Sequence, residues 1–156
     1  NKNVKPWYQH IKKNDIPTID ENKDVLIKVL VGKVKNISSA VQTYSPVSIF
    51  DVQFTKPSLI DLDIPKNQTA MVYVIDGKLK FHDDNEIARK GQMIYFDHSS
   101  DMINLTSIST NGSYLVLAGE PLNESVVRYG PFVTNTEGDM KQAMLDYQNG
   151  KMGKLS

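Results

Sequence analysis

The sequence predicts an all-β protein, an antiparallel β-barrel or sandwich that ends in one α-helix. Apolar and polar residues alternate with a period of two over most of the chain from Val25 onward. Gly, Pro, Asn and Asp separate these runs at short intervals, which is typical of strands joined by tight turns. No long helical pattern interrupts the runs, which argues against a parallel α/β sheet. We predict a linker over residues 1–20 and one domain over 21–156.

The strand predictions rest on β-branched and alternating runs. Val25–Val31 is rich in β-branched residues, and Pro46–Phe54 alternates as a half-buried strand does. Asp76 and Gly77 tolerate positive φ, so they predict a hairpin turn between two strands. The full set of predicted strands is 25–32, 46–54, 69–75, 78–81, 92–96, 102–108 and 113–118.

One helix is predicted over residues 137–149. Thr136 is suited to cap its start, and Gly150 stands where a left-handed residue usually ends a helix. One face carries an apolar stripe at helical spacing, which predicts packing against the rest of the domain. The stripe consists of Met140, Ala143, Met144 and Tyr147.

Composition excludes several classes of function. Eighteen basic side chains balance eighteen acidic ones, so no strong field would attract nucleic acid or an anionic membrane. Only Arg89 and Arg128 carry the guanidinium that commonly reads guanine. No apolar run is long enough for a membrane span. The chain has no cysteine, which excludes disulfides and thiolate chemistry and favours a cytoplasmic protein, or a nuclear one in a eukaryote.

The stretch from Gly119 to Thr136, the signature segment, contains GEPL at 119–122, GPFV at 130–133 and Asn-Thr just before an acidic helix start. It resembles the C-terminal signature of the pirin family. The N-terminal residues 4–17 and the closing helix 142–150 are also similar to that family. Pirins are bicupins, two jelly-roll barrels in one chain. The resemblance therefore implies a cupin barrel equivalent to the C-terminal pirin domain.

The resemblance also implies where the family's chemistry lies. In pirins a single metal, usually iron, is held in the N-terminal barrel by three His and one Glu. Some members have quercetin 2,3-dioxygenase activity, and others act as transcriptional co-regulators. This sequence matches only the second barrel, so we expect iron only in an N-terminal domain outside this chain. Asn1 in place of Met fits a fragment or a processed product.

The metal positions of a cupin are filled here by unsuitable residues. Cupin-like sequences place His-x-His and then Glu ahead of a glycine, here Gly77, yet residues 61–70 contain no histidine. The expected Glu falls on Thr69 or Ala70, and the expected histidine of the second motif falls on Met102. A thioether is a poor ligand for ferrous iron. We therefore predict no metal, no cofactor and no catalytic residue in this domain.

Other polar groups are interpreted as loop or surface residues. An acidic turn after His82 could hold a weak divalent cation, although Asp and Asn in turns usually bond their own backbone. Asp61 and Asp63 would share one face of a strand, but nothing near them in sequence would shift a pKa. The remaining histidines are His10 and His98.

The signature segment is expected to form an interface. Its partner would be the N-terminal barrel of the parent protein, a second copy of this chain, or another protein. The residues assigned to this interface are Gly119, Glu120, Pro121, Glu124, Arg128, Tyr129, Gly130, Pro131, Phe132 and Asn135. We expect a structural or regulatory role without chemistry of its own. Two alternatives stay open: a part of a quercetin 2,3-dioxygenase-like enzyme, or a small-molecule-binding barrel lined by Phe50, Phe54, Tyr73, Tyr95 and Met102.

Overall fold

A computed structural model describes residues 4–5, 7–81, 86–97 and 100–153. Contacts between residues divide the chain into two units, Asn1–Pro121 and Leu122–Ser156. In chain order the strands of the first unit are β1 (Thr18–Asp20), β2 (Val25–Val31), β3 (Lys33–Val34), β4 (Ile37–Ser38), β5 (Val47–Phe54), β6 (Ser58–Asp63), β7 (Thr69–Asp76), β8 (Lys78–Phe81), β9 (Glu86–Arg89), β10 (Met93–Phe96), β11 (Met102–Ser107) and β12 (Gly112–Gly119). The second unit has β13 (Val127–Tyr129), β14 (Phe132–Thr134) and α1 (Glu137–Gln148).

Two antiparallel sheets form the first unit. The larger sheet has the order β1-β2-β5-β12-β7-β10, and the smaller has the order β6-β11-β8-β9. The non-sequential neighbours are typical of a jelly roll, so the structure confirms the all-β cupin fold. The β3–β4 hairpin stands apart from both sheets.

One hydrophobic core lies between the two sheets. Alternate residues of each strand are buried, because successive side chains of a strand point to opposite faces. Phe54 and Tyr114 meet edge to face in this core, with ring centroids 5.5 Å apart. The larger sheet supplies Val25, Ile27, Val29, Phe50, Val52, Phe54, Ala70, Val72, Val74, Ile94, Tyr114, Val116 and Ala118. The smaller sheet supplies Ile60, Leu62, Leu79, Ala88, Ile103 and Leu105.

The turn at Gly77 differs from the predicted hairpin. Gly77 has φ +87°, as the turn requires, but β7 pairs with β10 and β12, while β8 pairs with β9 and β11. The chain therefore crosses from the larger sheet to the smaller one at this point. A Cβ on Gly77 would lie 3.1 Å from the Cα of Gly112, so the crossing also needs a residue without a side chain.

The second unit consists of the β13–β14 hairpin and the helix that follows it. The side chain of Thr136 accepts a hydrogen bond from the N–H of Asp139 at 3.0 Å, which confirms the predicted N-cap. Gly150 has φ +69°, and the N–H of Lys151 donates to the carbonyl of Asp146, so the predicted C-terminal glycine is confirmed. Met140, in the predicted apolar stripe, is buried, and α1 packs against the hairpin.

No helix in the described ranges has the length and apolar character needed to cross a membrane.

Candidate functional site

The positions that hold a metal in cupins carry no suitable ligands here. Ala70 is buried, while Thr69 is half-buried at the same end of β7. Met102 lies on β11 opposite Asp63 of β6, and its side chain is exposed. Methyl, hydroxyl and thioether groups with one carboxylate do not make the imidazole and carboxylate set that ferrous iron prefers. The residues at these positions therefore do not fit the iron of the family.

The structure also locates the other polar candidates. Asp61 and Asp63 are both exposed on β6, and Asp61 accepts a hydrogen bond from the side-chain amide of Asn104 on β11. His10 is exposed in the N-terminal segment. His82 with residues 83–85, and His98, lie outside the described residues. Among the described residues, no three His, Cys, Asp or Glu side chains come together as a metal site.

Two of the predicted pocket residues share one cavity. Tyr95 and Met102 border a cavity of about 400 Å³ between β10 and β11. The other residues that line it are Phe81, Ile94, Phe96, Asp97, Ser100, Ile103 and Asn104. Aromatic and aliphatic walls with a few polar groups are typical of small-molecule sites.

The other three predicted pocket residues lie elsewhere. Phe50 and Phe54 on β5 are fully buried in the packed core between the sheets. Val72 and Val74 on β7 point into the same core, so Tyr73 between them lies on the opposite, outer face of the larger sheet. The interior of the barrel is thus filled by side chains at the aromatic positions of β5.

The signature segment is held together by one asparagine within the second unit. The Nδ2 of Asn135 donates to a carboxylate oxygen of Glu124 at 2.8 Å and to the carbonyl of Ser125 at 2.9 Å. Phe132 contacts Tyr147 of α1 edge to face, with ring centroids 5.6 Å apart. The carboxylate of Glu124 is therefore hydrogen-bonded to Asn135. Arg128 has no ion pair within the part of the chain that the structure describes.

An apolar face of the β13–β14 hairpin is exposed. Val133 lies opposite Arg128 in the hairpin register, and both side chains are exposed. Val126 precedes β13 at the same parity as Arg128 and is also exposed. Tyr129 follows with a 61% exposed side chain. The first three side chains form what we call the hairpin face: Val126, Arg128 and Val133.

The earlier part of the signature segment belongs to the first unit. Gly119 ends β12, and the N–H of Glu120 donates to the carbonyl of Pro46 at 3.2 Å. Pro121 is the last residue of that unit. In the second unit Gly130, with φ +53°, and Pro131 form the turn of the β13–β14 hairpin. The segment therefore spans the boundary between the two units rather than forming one continuous element.

A second, polar cavity was not indicated by the sequence patterns. It has a volume of about 540 Å³ and is bordered by Lys33, Asp63 and Gln68. Gln68 is only 8% exposed, and its Oε1 has no hydrogen-bond partner among the residues that the structure describes. The only signal in the sequence was that Gln68 falls within residues 61–70, where a cupin metal site would be expected. An amide at that position carries no recognisable motif.

Comparison with known proteins identifies the relatives of this fold. The family model of the pirin C-terminal cupin domain matches residues 49–153. A putative quercetin 2,3-dioxygenase from Pseudomonas aeruginosa is 33% identical over 147 residues, which is 94% of this chain and 50% of that protein. Pirin-1 from Arabidopsis thaliana is 34% identical over 155 residues, covering 97% of this chain and 54% of its own length.

A solved structure agrees with these sequence relatives. The quercetin 2,3-dioxygenase from Acinetobacter baumannii superposes with a TM-score of 0.87 at 29% identity, over 96% of this chain and 52% of that chain. The chain thus spans about half the length of the relatives that it matches.

Proposed function

Because this chain belongs to the family of pirin C-terminal cupin domains, we propose that it acts as a non-catalytic domain that binds and supports a metal-bearing N-terminal barrel. Its relatives are about twice as long, which leaves room for such a barrel in the parent protein. The metal positions of this barrel carry Ala70 and Met102 in place of ligands. The observation that carries the proposal is the exposed hairpin face.

The hairpin face has the chemistry of a binding surface. Val126 and Val133 expose 58% and 60% of their surface, and Arg128 between them has no ion pair within the described ranges. Arginine beside apolar side chains is enriched at the energetic centres of interfaces, because its guanidinium offers several donors to a partner. Asn135 fixes the segment that precedes β13, so the face is preorganised for binding.

The test measures binding between this chain and the N-terminal half of the parent protein. Titration calorimetry of the two purified halves is expected to give a one-to-one complex. The double variant Arg128→Ala with Val133→Ser is expected to weaken it by about tenfold or more, equivalent to about 1.4 kcal/mol. The matched control is Leu59→Ser, which changes a 54% exposed apolar residue on β6 of the first unit.

Light scattering on this chain alone distinguishes between two possible partners, a second copy of the chain and the N-terminal half. Self-association that the double variant abolishes would identify a second copy as the partner. A monodisperse monomer that also fails to bind the N-terminal half would contradict the proposal.

An enzymatic role for the parent protein is the second candidate. The Pseudomonas aeruginosa and Acinetobacter baumannii relatives are named quercetin 2,3-dioxygenases. In this hypothesis the chain stabilises the barrel that carries out that reaction. Quercetin consumption by the parent protein should then fall in the Arg128→Ala and Val133→Ser variant and remain unchanged in Leu59→Ser.

Small-molecule binding in the barrel is the third candidate. The cavity beside Tyr95 and Met102 favours it, because apolar walls and polar groups such as Asn104 converge there. A fluorescence titration with quercetin on this chain alone would test it, and Met102→Glu should abolish the response. A cytoplasmic location, or a nuclear one in a eukaryote, stays a prediction.

A further inference from the structure

The outer face of the larger sheet in the first unit carries a continuous apolar surface. Core residues on β5, β7, β10 and β12 alternate with residues that point away from the core, because successive side chains of a strand lie on opposite faces. Apolar and aromatic side chains occupy most of the outward positions near the middle of these strands. They form what we call the sheet face: Ile49, Met71, Tyr73, Met93, Tyr95, Leu115 and Leu117.

The strand register arranges these side chains in two adjacent rows. In the first row Leu115 of β12 lies opposite Tyr73 of β7, and Tyr73 lies opposite Met93 of β10. Residues directly opposite each other on neighbouring strands have Cβ atoms about 4.5–5.5 Å apart, so each row is a continuous line of contacts. The second row, two residues further along each strand, consists of Ile49, Leu117, Met71 and Tyr95.

Much of this surface is accessible to water. Tyr73, Met93 and Tyr95 expose 36%, 53% and 64% of their surface, and the other side chains of the sheet face are half-buried between their neighbours. A shallow cavity of about 280 Å³ lies at one end of the face, where Met71 and Leu117 help to line it. A contiguous exposed apolar surface on a folded protein marks an interaction site.

Charges beside the sheet face are neutralised in pairs. The Nζ of Lys28 lies 2.7 Å from a carboxylate oxygen of Asp51, which is the residue opposite Leu115 on β5. At another border of the face, the Nζ of Lys90 lies 3.4 Å from a carboxylate oxygen of Asp76. Two copies of the face can therefore approach each other without like-charge repulsion from these groups, which favours a second copy over a strongly charged partner.

The dimensions of the sheet face fit a small dimer interface. The larger sheet has β2, β5, β12, β7 and β10 side by side. At about 4.8 Å between strands and about 3.4 Å per residue over about seven residues, this face measures about 24 Å by 24 Å, or about 580 Å². Specific interfaces begin at about 600 Å² from each partner. Two identical sheets also share the same twist, so they can pack about 10 Å apart with their strands within about 30° of each other.

We propose that the sheet face binds the sheet face of a second copy of this chain in a two-fold symmetric dimer. In such a dimer the same set of residues meets itself, which a neutral apolar surface allows. Because the interface is close to the lower size limit, we expect a dissociation constant in the micromolar range. This surface is separate from the hairpin face, which the proposed function assigns to the N-terminal barrel.

Sedimentation velocity of the 156-residue chain from about 1 µM to about 1 mM tests the dimer. The wild type is expected to change from monomer to dimer over this range. Tyr73→Lys and Met93→Lys should each raise the dissociation constant at least about tenfold, because each copy would bury an unpaired ammonium group. Leu59→Lys, at a 54% exposed apolar residue on β6 of the smaller sheet, is the matched control and should leave the constant unchanged. Melting curves followed by circular dichroism check that each variant is folded.

Binding of the N-terminal half separates this dimer from the hairpin face. Arg128→Ala with Val133→Ser should leave the dimer intact, and Tyr73→Lys should leave binding of the N-terminal half unchanged. A wild-type chain that stays monomeric up to about 1 mM would overturn the proposal, as would a dimer that both lysine variants retain. Weaker binding of the N-terminal half by Tyr73→Lys would assign the sheet face to the N-terminal barrel and overturn it as well.

Discussion

The hydroxyl oxygen of Tyr114 lies 2.8 Å from the Oγ of Ser107 within the core of the first unit. The same hydroxyl donates to the carbonyl of Lys78 at 2.9 Å. Tyr114 is on β12 of the larger sheet, whereas Ser107 and Lys78 are on β11 and β8 of the smaller one. This phenol therefore links the two sheets by polar contacts inside an otherwise apolar core.

Removing the Tyr114 hydroxyl should destabilise the fold. Tyr114→Phe removes both hydrogen bonds that join the sheets, while the Lys78 carbonyl still accepts from the N–H of Ile108 and the Ser107 hydroxyl still donates to the carbonyl of Ser109. We expect a loss of about 1–3 kcal/mol in the free energy of unfolding, since each lost hydrogen bond contributes about 0.5–1.5 kcal/mol. Urea denaturation followed by far-ultraviolet circular dichroism measures it. Tyr73→Phe, on the outer face of β7, is the control and should change stability little. Equal stability of both variants would contradict this role of the hydroxyl.

The same side chain predicts a dependence of stability on alkaline pH. Burial raises the pKa of Tyr114 above its usual value near 10, and the negative charge of Asp76 raises it further. Its neutral form is favoured in the folded state, so this contribution is full below about pH 10 and is lost as pH rises above it. The difference in melting temperature between the wild type and Tyr114→Phe should therefore shrink on going from pH 8 to above pH 10. A difference in melting temperature that stays constant with pH would contradict the link between stability and ionisation of the Tyr114 hydroxyl.

Two glycine substitutions should act in opposite directions. A Cβ on Gly112 would lie 2.8 Å from the Oγ of Ser107 and in contact with the Tyr114 hydroxyl. Gly112→Ala should therefore lower the free energy of unfolding by about 1–3 kcal/mol.

Gly138 is in the first turn of α1, and the nearest atom to its added Cβ is 3.7 Å away. Gly138→Ala should stabilise the protein by up to about 1 kcal/mol because alanine favours helix. Thermal unfolding of both variants measures this, and a stable Gly112→Ala would argue against the tight packing at this point.

Loss of the Asn135 side chain should loosen the signature segment. Asn135→Ala removes the hydrogen bonds to Glu124 and Ser125, each contributing about 1 kcal/mol. Cleavage by a glutamate-specific protease after Glu124 should accelerate, because the segment opens more often. Asn67→Ala, at an exposed turn of the first unit, is the control and should leave that rate unchanged. Unaltered cleavage in Asn135→Ala would show that other contacts hold the segment.

The seven runs predicted as strands from their β-branched or alternating residues are all strands in the structure, close to the predicted bounds. They are Val25–Val31, Val47–Phe54, Thr69–Asp76, Lys78–Phe81, Met93–Phe96, Met102–Ser107 and Gly112–Gly119. β6 was not predicted, because Asp61 and Asp63 on its exposed face give this stretch the polar composition of a loop. The Asp76–Gly77 turn predicted the local conformation correctly but the wrong pairing, since turn chemistry fixes φ and not the sheet that the next strand joins.

Site residues were harder to predict because one-residue differences in register decide the face. Phe50 faces the core, while Tyr73 faces outward, although both stand in alternating strands. The polar cavity depends on Lys33 and Gln68, which are 35 positions apart and carry no motif. Only the fold brings them together. The family signature, in contrast, was readable because Pro and Gly fix its backbone at Pro121, Gly130 and Pro131.

Elemental mass spectrometry of this chain, alone and in complex with the N-terminal half of its parent, tests the central claim most directly. The chain purified after mild chelation and re-exposed to iron is expected to retain far less than one equivalent of metal, because Ala70 and Met102 stand at the ligand positions. The complex is expected to carry one equivalent. One equivalent of iron on this chain alone would contradict the account and assign chemistry to this barrel itself.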